Sequence, residues 1–186
     1  MDLLLAEPRT ILVALDESPG AEFAFEWALK NYCKPNDVLH LLHVRHATDD
    51  FGINPKWRVP ADVASEVEQK MEVAAQALLQ TFLDRATLAK IKCKGRVVVG
   101  DERHEICKEV LWVCADVLIV GSRGLNRMQR VFLGSVSEYC AQHCACPVII
   151  VKPMPEGRKF SSNGSLSDDS TSENHIPGLD ATEDDL

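Results

Sequence analysis

Residues 121–137 combine glycine, arginine and hydroxyl side chains in a pattern that suits phosphate binding. The segment reads GSRGLNRMQRVFLGSVS and lies between an apolar run and a helical pattern. Glycines let a ligand approach the backbone because no Cβ stands in the way. Gly134, Ser135 and Val136 would offer backbone N–H groups at a helix start, where anions bind readily. Three arginines add positive charge: Arg123, Arg127 and Arg130. Each residue alone also suits a strand end or a helix cap, but the combination favours a phosphate loop.

Short apolar runs alternate with helical patterns along residues 9–152. Runs that suit buried strands occupy residues 9–15, 38–44, 91–99, 116–120 and 147–151. Neither G-x4-G-K-[ST] nor a G-x-G-x2-G after a strand is present, so the expected phosphate loop is of another kind. Continuous apolar strands that alternate with helices predict an α/β domain whose parallel sheet is covered on both faces. The strand order does not follow from these patterns alone.

The longest helix is predicted from residue 61 to about residue 89. Its apolar residues recur at intervals of three and four and form one stripe: Val63, Val67, Met71, Ala74, Leu78 and Phe82. Such a stripe is typical of the buried face of a helix. A coiled coil is the alternative, but alanine within the stripe and the strand that follows disfavour it.

The charge is concentrated near the end of the chain. The formal net charge is −8, and residues 153–186 hold eight acidic and two basic residues. Because residues 1–152 are close to neutral, a general nucleic-acid coat is not expected. We predict a domain at 1–152 and a disordered acidic, serine-rich tail at 153–186, which has too few apolar residues to form a core. No run approaches the ~18 apolar residues of a membrane span, and no signal peptide is evident.

Five sequence blocks between residues 9 and 152 form a specific set. They are ILVALDES from residue 11, LLHV from residue 41, ADVLIVGSRG from residue 115, the motif G-x2-G-x9-G-S from residue 121, and PVIIV from residue 147. In this order they resemble the universal stress protein family, in particular its plant-type single-domain members. The resemblance implies an α/β fold with a doubly wound five-stranded parallel sheet of order 3-2-1-4-5, like that of the adenine nucleotide α-hydrolases. The loops after strands one and four would then meet where the strand order reverses, at the place where such sheets bind ligands.

The resemblance also implies how individual residues would bind ATP or AMP. Asp16 would contact the ribose, and the backbone at Ala14 and Val44 would lie along the adenine. The ribose and phosphates would be held by two groups of residues: Gly121, Ser122, Arg123 and Gly124 with Arg127 nearby, and Gly134, Ser135, Val136 and Ser137. Mg²⁺ would be held through the phosphates, and we expect no metal site made of protein side chains.

We expect an adenine-nucleotide-binding stress-response module and not an enzyme. Related ATP pyrophosphatases need a glycine-rich SGGxDS-type loop after the first strand, whereas this chain has DESPG at residues 16–20. Slow ATP hydrolysis and a nucleotide-free scaffold stay open as alternatives. The resemblance implies a homodimer paired through the apolar segment 148–151 at a sheet edge. We expect the protein in the cytoplasm or the nucleus, without a membrane or nucleic-acid partner.

Three further groups of residues could carry chemistry. Cys140, His143, Cys144 and Cys146 form a compact C-x2-H-C-x-C that is compatible with zinc, but plain core packing is favoured, with a redox-responsive thiol as the other alternative. Among the histidines at residues 40, 43 and 46, the middle one alternates to the opposite face of its strand, so core or rim positions are expected. The tail contains hydroxyl residues followed three positions later by an acidic residue, as acidophilic kinases prefer: Ser165, Ser170 and Thr182.

Overall fold

The computed structural model describes residues 7–46, 61–122 and 133–153, and their five strands form one parallel sheet. The strands are β1 (Thr10–Leu15), β2 (Val38–Arg45), β3 (Lys92–Val99), β4 (Val117–Gly121) and β5 (Val148–Val151). Their order is β3-β2-β1-β4-β5, and every neighbouring pair is parallel. The predicted α/β fold with strand order 3-2-1-4-5 is therefore confirmed.

Helices cover both faces of the sheet. They are α1 (Pro19–Trp27), which continues into a π-helical segment (Ala28–Tyr32), α2 (Ala61–Leu88), α3 (Glu102–Trp112) and α4 (Ser135–His143). Successive side chains of a strand point to opposite faces, so β1 contributes to two cores. Ile11 and Val13 pack with residues of α1 and α2, whereas Leu12 packs with residues of α3 and α4. Both faces of β1 are thus removed from water, as its continuous apolar run predicts.

The buried face of α2 differs from the predicted stripe. Val63 and Val67 are exposed, and Ala74 is exposed as well. The side chains of α2 that are buried against the sheet are Ala75, Leu79, Phe82 and Ala86. The predicted stripe is therefore correct at Phe82 and one position too early at Ala74 and Leu78. It was wrong in its first half, because none of the described side chains from residue 63 to residue 74 is buried.

The end of the domain and the tail are not tested by the structure. The domain boundary at residue 152 and the disordered tail stay predictions, because residues 154–186 lie outside the described residues. Among the described helices, none has both the length and the apolar composition needed to cross a bilayer.

Candidate functional site

The carboxyl ends of β1 and β4 lie side by side in the middle of the sheet. Val13 of β1 pairs with Ile119 of β4, and Leu15 of β1 pairs with His43 of β2 on the other side. The strand order reverses between β1 and β4, because β2 and β3 lie to one side and β5 lies to the other. In open α/β sheets ligands bind outside the carboxyl ends of the strands at such a point.

The turn after β1 is organised by two polar side chains. Asp16, which is partly buried, accepts a hydrogen bond at Oδ1 from the backbone N–H of Ser18, at 2.9 Å. The hydroxyl of Ser18 accepts one from the N–H of Ala21 at 3.1 Å and so caps α1, with Pro19 in the first turn. Ser18 is therefore the helix cap, and Asp16 holds the turn that leads to it.

Gly121, the last residue of β4, lies against the first turn of α1. A Cβ at this position would lie 2.7 Å from both the carbonyl carbon and the carbonyl oxygen of Gly20. A backbone atom cannot give way as the end of a side chain can, so the absence of a side chain at residue 121 lets α1 begin beside the end of β4. The glycine that the sequence assigned to ligand approach thus also has a packing role.

The connection from β4 to α4 is closed at its base by hydrogen bonds. The carbonyl of Ser122 accepts the backbone N–H of Gly134 at 2.8 Å, and the N–H of Ser122 donates to the carbonyl of Val151 at 2.9 Å. The buried hydroxyl of Ser137 donates to the carbonyl of Gly134 at 2.9 Å. These bonds fix the start of α4 against the end of β4. Three predicted site residues in between, Arg123, Gly124 and Arg127, lie outside the described residues.

α4 begins at a glycine N-cap, which has no side chain to accept a hydrogen bond. This residue, Gly134, has φ −67° and ψ 152°. The N–H groups of Ser135, Val136 and Ser137 occupy the first turn, where a helix supplies no internal partner. The prediction that the N–H of Gly134 is available was wrong, because Ser122 accepts it. The hydroxyl of Ser137 is likewise used inside the fold, so only its backbone N–H suits an anion.

Ala14 and Val44 lie on the face of the sheet that carries α3 and α4. Ala14 pairs with Leu42 in the β1–β2 ladder, and Val44 is the second residue after Leu42 on the same face. Both side chains pack with the core of that face. The two residues predicted to lie along the adenine are therefore on the same side of the sheet as the start of α4.

Polar residues that surround this edge were only partly recognised from the sequence. His46 pairs with Glu102 at 2.8 Å, and Asp101 caps α3 and accepts hydrogen bonds from Arg103 and His104. The hydrogen bond from Arg103 lowers the pKa of Asp101, although partial burial opposes the change. These groups are paired with one another at the entrance of α3. In the sequence, only the three-residue spacing of Asp101 and His104, which places them on one side of a helix, indicated this cluster.

The ring of Tyr139 is a site feature that the sequence analysis missed. It lies on α4, four residues after Ser135, stacks on His143 with centroids 3.9 Å apart, and has His104 at 5.4 Å. The guanidinium of Arg103 lies 5.8 Å from its centroid. Since helix positions four apart share a face, Tyr139 extends the surface beside the first turn of α4.

The histidines of β2 serve the fold. His40 Nε2 lies 2.9 Å from Glu109 of α3, and His43 Nδ1 lies 2.9 Å from the carbonyl of Leu15. His40 and His46 thus both contact α3 or its first residue, whereas His43 lies on the opposite face. The prediction that the three histidines cannot form one cluster is confirmed.

A cavity lies at the opposite end of the strands, where β1 and β2 begin. It measures about 350 Å³ and is lined by Glu7, Arg9, Lys34, Pro35, Asn36 and Asp37. Burial would raise the pKa of Asp37, but the hydrogen bonds from Arg9 and from the N–H of Lys34 outweigh it and lower that pKa. Because Arg9 and Asp37 pair with each other and no predicted ligand residue lines this cavity, we assign it a structural role.

Comparisons with known proteins give the same fold and a family. The model of the universal stress protein family matches residues 7–152. A universal stress protein A-like protein of Arabidopsis thaliana is 32% identical over 161 residues, which cover 79% of this chain and 91% of the relative. The solved structure of hypothetical protein MJ0577 covers 79% of this chain and 97% of its own at a TM-score of 0.66 and 25% identity. That of an Arabidopsis thaliana universal stress protein family protein with AMP bound covers 84% and 99% at a TM-score of 0.57 and 27% identity. The chain belongs to the universal stress protein family.

Proposed function

We propose that the chain binds an adenine nucleotide, AMP or ATP, at the carboxyl edge of β1 and β4. The start of α4 is the observation that carries this proposal. The N–H groups of Ser135 and Val136 have no partner within the helix, and the N-cap residue, Gly134, has no side chain to accept them. The bond from Gly134 to Ser122 holds this start beside the end of β4. Phosphate is the anion that such a helix start suits.

The ribose and the base are proposed to lie beside β1 and β2. Asp16 is held in the turn after β1 by its bond to Ser18, which leaves the carboxylate at the same edge as the start of α4. Ala14 and Val44 share the face of the sheet that carries α4. The Arabidopsis relative with AMP bound, which aligns with most of this chain, supports an adenine nucleotide as the ligand.

A magnesium ion bound together with the nucleotide fits the donor chemistry of this edge. Mg²⁺ prefers oxygen ligands and is usually held by one or two carboxylates together with substrate phosphates. Asp16 is the carboxylate that the turn after β1 brings to the edge. When bound, the ion would neutralise part of the phosphate charge. We therefore propose that it is held chiefly through the phosphates of the nucleotide.

We further propose that the chain is a binding module and not a hydrolase. The hydroxyl oxygen of Ser18 accepts the N–H of Ala21, and the hydroxyl of Ser137 donates to Gly134. His43 is bonded through Nδ1 to the carbonyl of Leu15. These nucleophiles and bases near the edge have structural partners, which supports binding without turnover. Incubation with ATP and Mg²⁺ followed by phosphate detection would contradict this proposal if phosphate release exceeded that of an Asp16→Asn control.

A homodimer through β5 is the proposed assembly. β5 has β4 as its neighbour on one side and lies at the edge of the sheet. Its sequence is apolar, and Val148, Ile149 and Ile150 are only partly buried in the single chain. An apolar edge strand is usually covered or paired. Two copies related by a two-fold axis would satisfy both edges at once.

The nucleotide site is tested by a substitution at the start of α4. The backbone of Gly134 is in an extended conformation that any residue adopts, so Gly134→Val introduces bulk without backbone strain. We expect calorimetric titration with ATP and with AMP to show at least a tenfold loss of affinity, since two methyl groups would occupy the approach to the N–H groups. Ala141→Val is the matched control, because it places the same β-branched side chain at an exposed position of the same helix. Equal affinity of Gly134→Val and the control would contradict the site assignment.

A further inference from the structure

Three cysteine thiols meet between α3 and α4. Cys107 lies on α3, Cys140 lies on α4, and Cys144 is the C-cap of α4. Their sulfur atoms all lie within 4.8 Å of one another, and Sγ of Cys107 lies 3.2 Å from Sγ of Cys144. Cys140 and Cys144 are neighbours in the sequence, but Cys107 lies 33 or more residues away along the chain, so only the fold brings it to them. This thiol cluster is separate from the residues proposed to hold the nucleotide.

Two chemistries suit three adjacent thiols, namely metal binding and disulfide formation. A metal ion needs deprotonated ligands, and burial raises the pKa of Cys140 to about 12 and also raises that of Cys144. Three thiolates would therefore place negative charge in a partly apolar layer beside Ile106 and Val110. A disulfide carries no charge, and its formation needs only one thiolate at a time, so this surrounding favours it over a site of three thiolates.

The distances and exposures select one pair within the cluster. Cys140 is fully buried, whereas Cys107 and Cys144 are partly exposed. A disulfide has its sulfurs about 2.0 Å apart, so the two side chains must approach by little more than one ångström. Both sulfurs lie at the contact between neighbouring helices, and side-chain rotation supplies such a movement.

We propose that Cys107 and Cys144 are a reversible modification site that a low-molecular-weight disulfide, such as glutathione disulfide, oxidises to an intramolecular disulfide. The thiolate of one cysteine attacks a sulfur of the oxidant and releases one glutathione. The second cysteine loses its proton and attacks the protein sulfur of the mixed disulfide, which releases the second glutathione. The two thiols lose two electrons, one glutathione disulfide is reduced to two glutathiones, and the two protons end on the released thiols.

The bond would enclose the part of the chain that contains the proposed phosphate site. Residues between 107 and 144 include β4, the connection at 123–132 and α4. A cross-link over this distance restricts the unfolded chain. We therefore expect the oxidised protein to unfold at a higher temperature than the reduced protein, whether or not nucleotide is bound.

Oxidation of the full chain by glutathione disulfide under native conditions tests the proposal. After free thiols are blocked by alkylation, intact mass should show one disulfide per chain, and protein concentration should not change the midpoint in glutathione buffers. Tryptic digestion should link the peptide of Cys107 to the peptide that contains Cys144. The link should disappear in Cys107→Ser and Cys144→Ser. It should persist in Cys146→Ser, the matched control, whose cysteine lies on the same peptide as Cys144.

Several outcomes would overturn the proposal. They are a link that persists in Cys144→Ser, oxidation that yields only mixed disulfides with glutathione, and a midpoint that depends on protein concentration. Purification of the chain with one metal ion that keeps these thiols from alkylation would assign the cluster to metal binding instead. Circular dichroism of each serine variant establishes that a missing link is not caused by unfolding.

Discussion

Asp16 and Ser18 have different roles in the turn after β1. Ser18 caps α1 through its hydroxyl oxygen, and Asp16 accepts the N–H of Ser18. The carboxylate of Asp16 therefore has a structural partner at Oδ1 and a proposed ligand, the ribose. Asparagine at this position keeps a side-chain oxygen for the turn but removes the charge.

Asp16→Asn is expected to weaken nucleotide binding while the fold stays intact. Loss of a charge-assisted hydrogen bond costs about 1.5–3 kcal/mol, which corresponds to roughly tenfold to a hundredfold in affinity. Titration calorimetry with AMP measures the change. Ser18→Ala serves as the control, because loss of the cap should lower the free energy of unfolding by about 1 kcal/mol with a smaller change in affinity. If Asp16→Asn bound AMP as tightly as the wild type, the proposed ribose contact would be wrong, and Asp16 would serve only to hold the turn.

Gly121→Ala is expected to destabilise the domain because its Cβ would contact the backbone of Gly20 at 2.7 Å. Overpacking of this kind costs about 1–3 kcal/mol, measured as the free energy of unfolding in urea. Gly95→Ala is the matched control. Its Cβ would meet the end of the Leu79 side chain at 2.9–3.1 Å, and that side chain can move. Equal destabilisation by the two substitutions would contradict the close approach of α1 and β4.

The sequence indicated candidate site residues but not the packing and hydrogen-bonding roles that several of them have in the fold. The need for glycine at residue 121 arises from Gly20, which lies about a hundred residues earlier and meets it only in the folded sheet. The N–H of Gly134 is used by Ser122 for the same reason. Local patterns indicate which residues can approach a ligand, but contacts between distant segments decide which hydrogen-bonding groups are left for it.

At the scale of elements, β2 and α3 are joined by a buried polar cluster. Glu109 of α3 is 4% exposed and contacts His40 and Arg96 at 2.9 Å each. The guanidinium of Arg96 lies 4.4 Å from the ring centroid of Trp112. Burial lowers the pKa of His40 below 6.5; Glu109 opposes this change, whereas Lys94 and Arg96 add to it.

This cluster makes stability depend on pH. Because the folded pKa of His40 is depressed, the unfolded chain binds its proton more readily, and stability that is present above pH 6.5 is lost as the pH falls below that value. Urea unfolding between pH 7.5 and 5 should therefore show a steeper decline for the wild type than for His40→Gln. The difference in slope should not exceed about 1.4 kcal/mol per pH unit, the value for one proton. Identical slopes would show that His40 does not contribute.

The phase of α2 illustrates what periodicity cannot decide at this scale. Both the predicted stripe and the buried face step by three and four residues, but the sheet contacts Ala75 and Leu79, whereas Val63 and Val67 are exposed. A strand of the parallel sheet is easier to predict than the buried face of a helix. Both faces of such a strand are buried, so the sequence pattern does not have to show which side chains point inwards. This difference explains why the strands were predicted closely and the helix face was not.

For the whole molecule, strand order determines both the site and the proposed assembly. The order β3-β2-β1-β4-β5 places the reversal beside β1 and leaves β5 at an edge. Apolar patterns alone could not predict that order, since every run suits a buried strand, and it was predicted only through the resemblance to a family. The structure confirms it.

Ile150→Pro is expected to shift the protein from dimer to monomer. Proline removes a donor from the middle of the proposed ladder between two β5 strands. Light scattering at micromolar concentration measures the mass. Ile150→Val, which keeps the N–H and a branched side chain, should remain dimeric, and a chain that ends at Pro155 should keep the stoichiometry of the full chain. A monomeric wild type would contradict the proposed assembly.

This chain is proposed above all to hold an adenine nucleotide at the carboxyl ends of β1 and β4. The most direct measurement is the nucleotide content of protein purified without added ligand, determined by chromatography of the denatured sample, followed by equilibrium dialysis with labelled ATP and AMP. We predict an adenine nucleotide that is carried through purification or rebinds at one site per chain, and that Gly134→Val fails to retain. Protein that contains no nucleotide and shows no saturable binding of ATP or AMP would contradict the account.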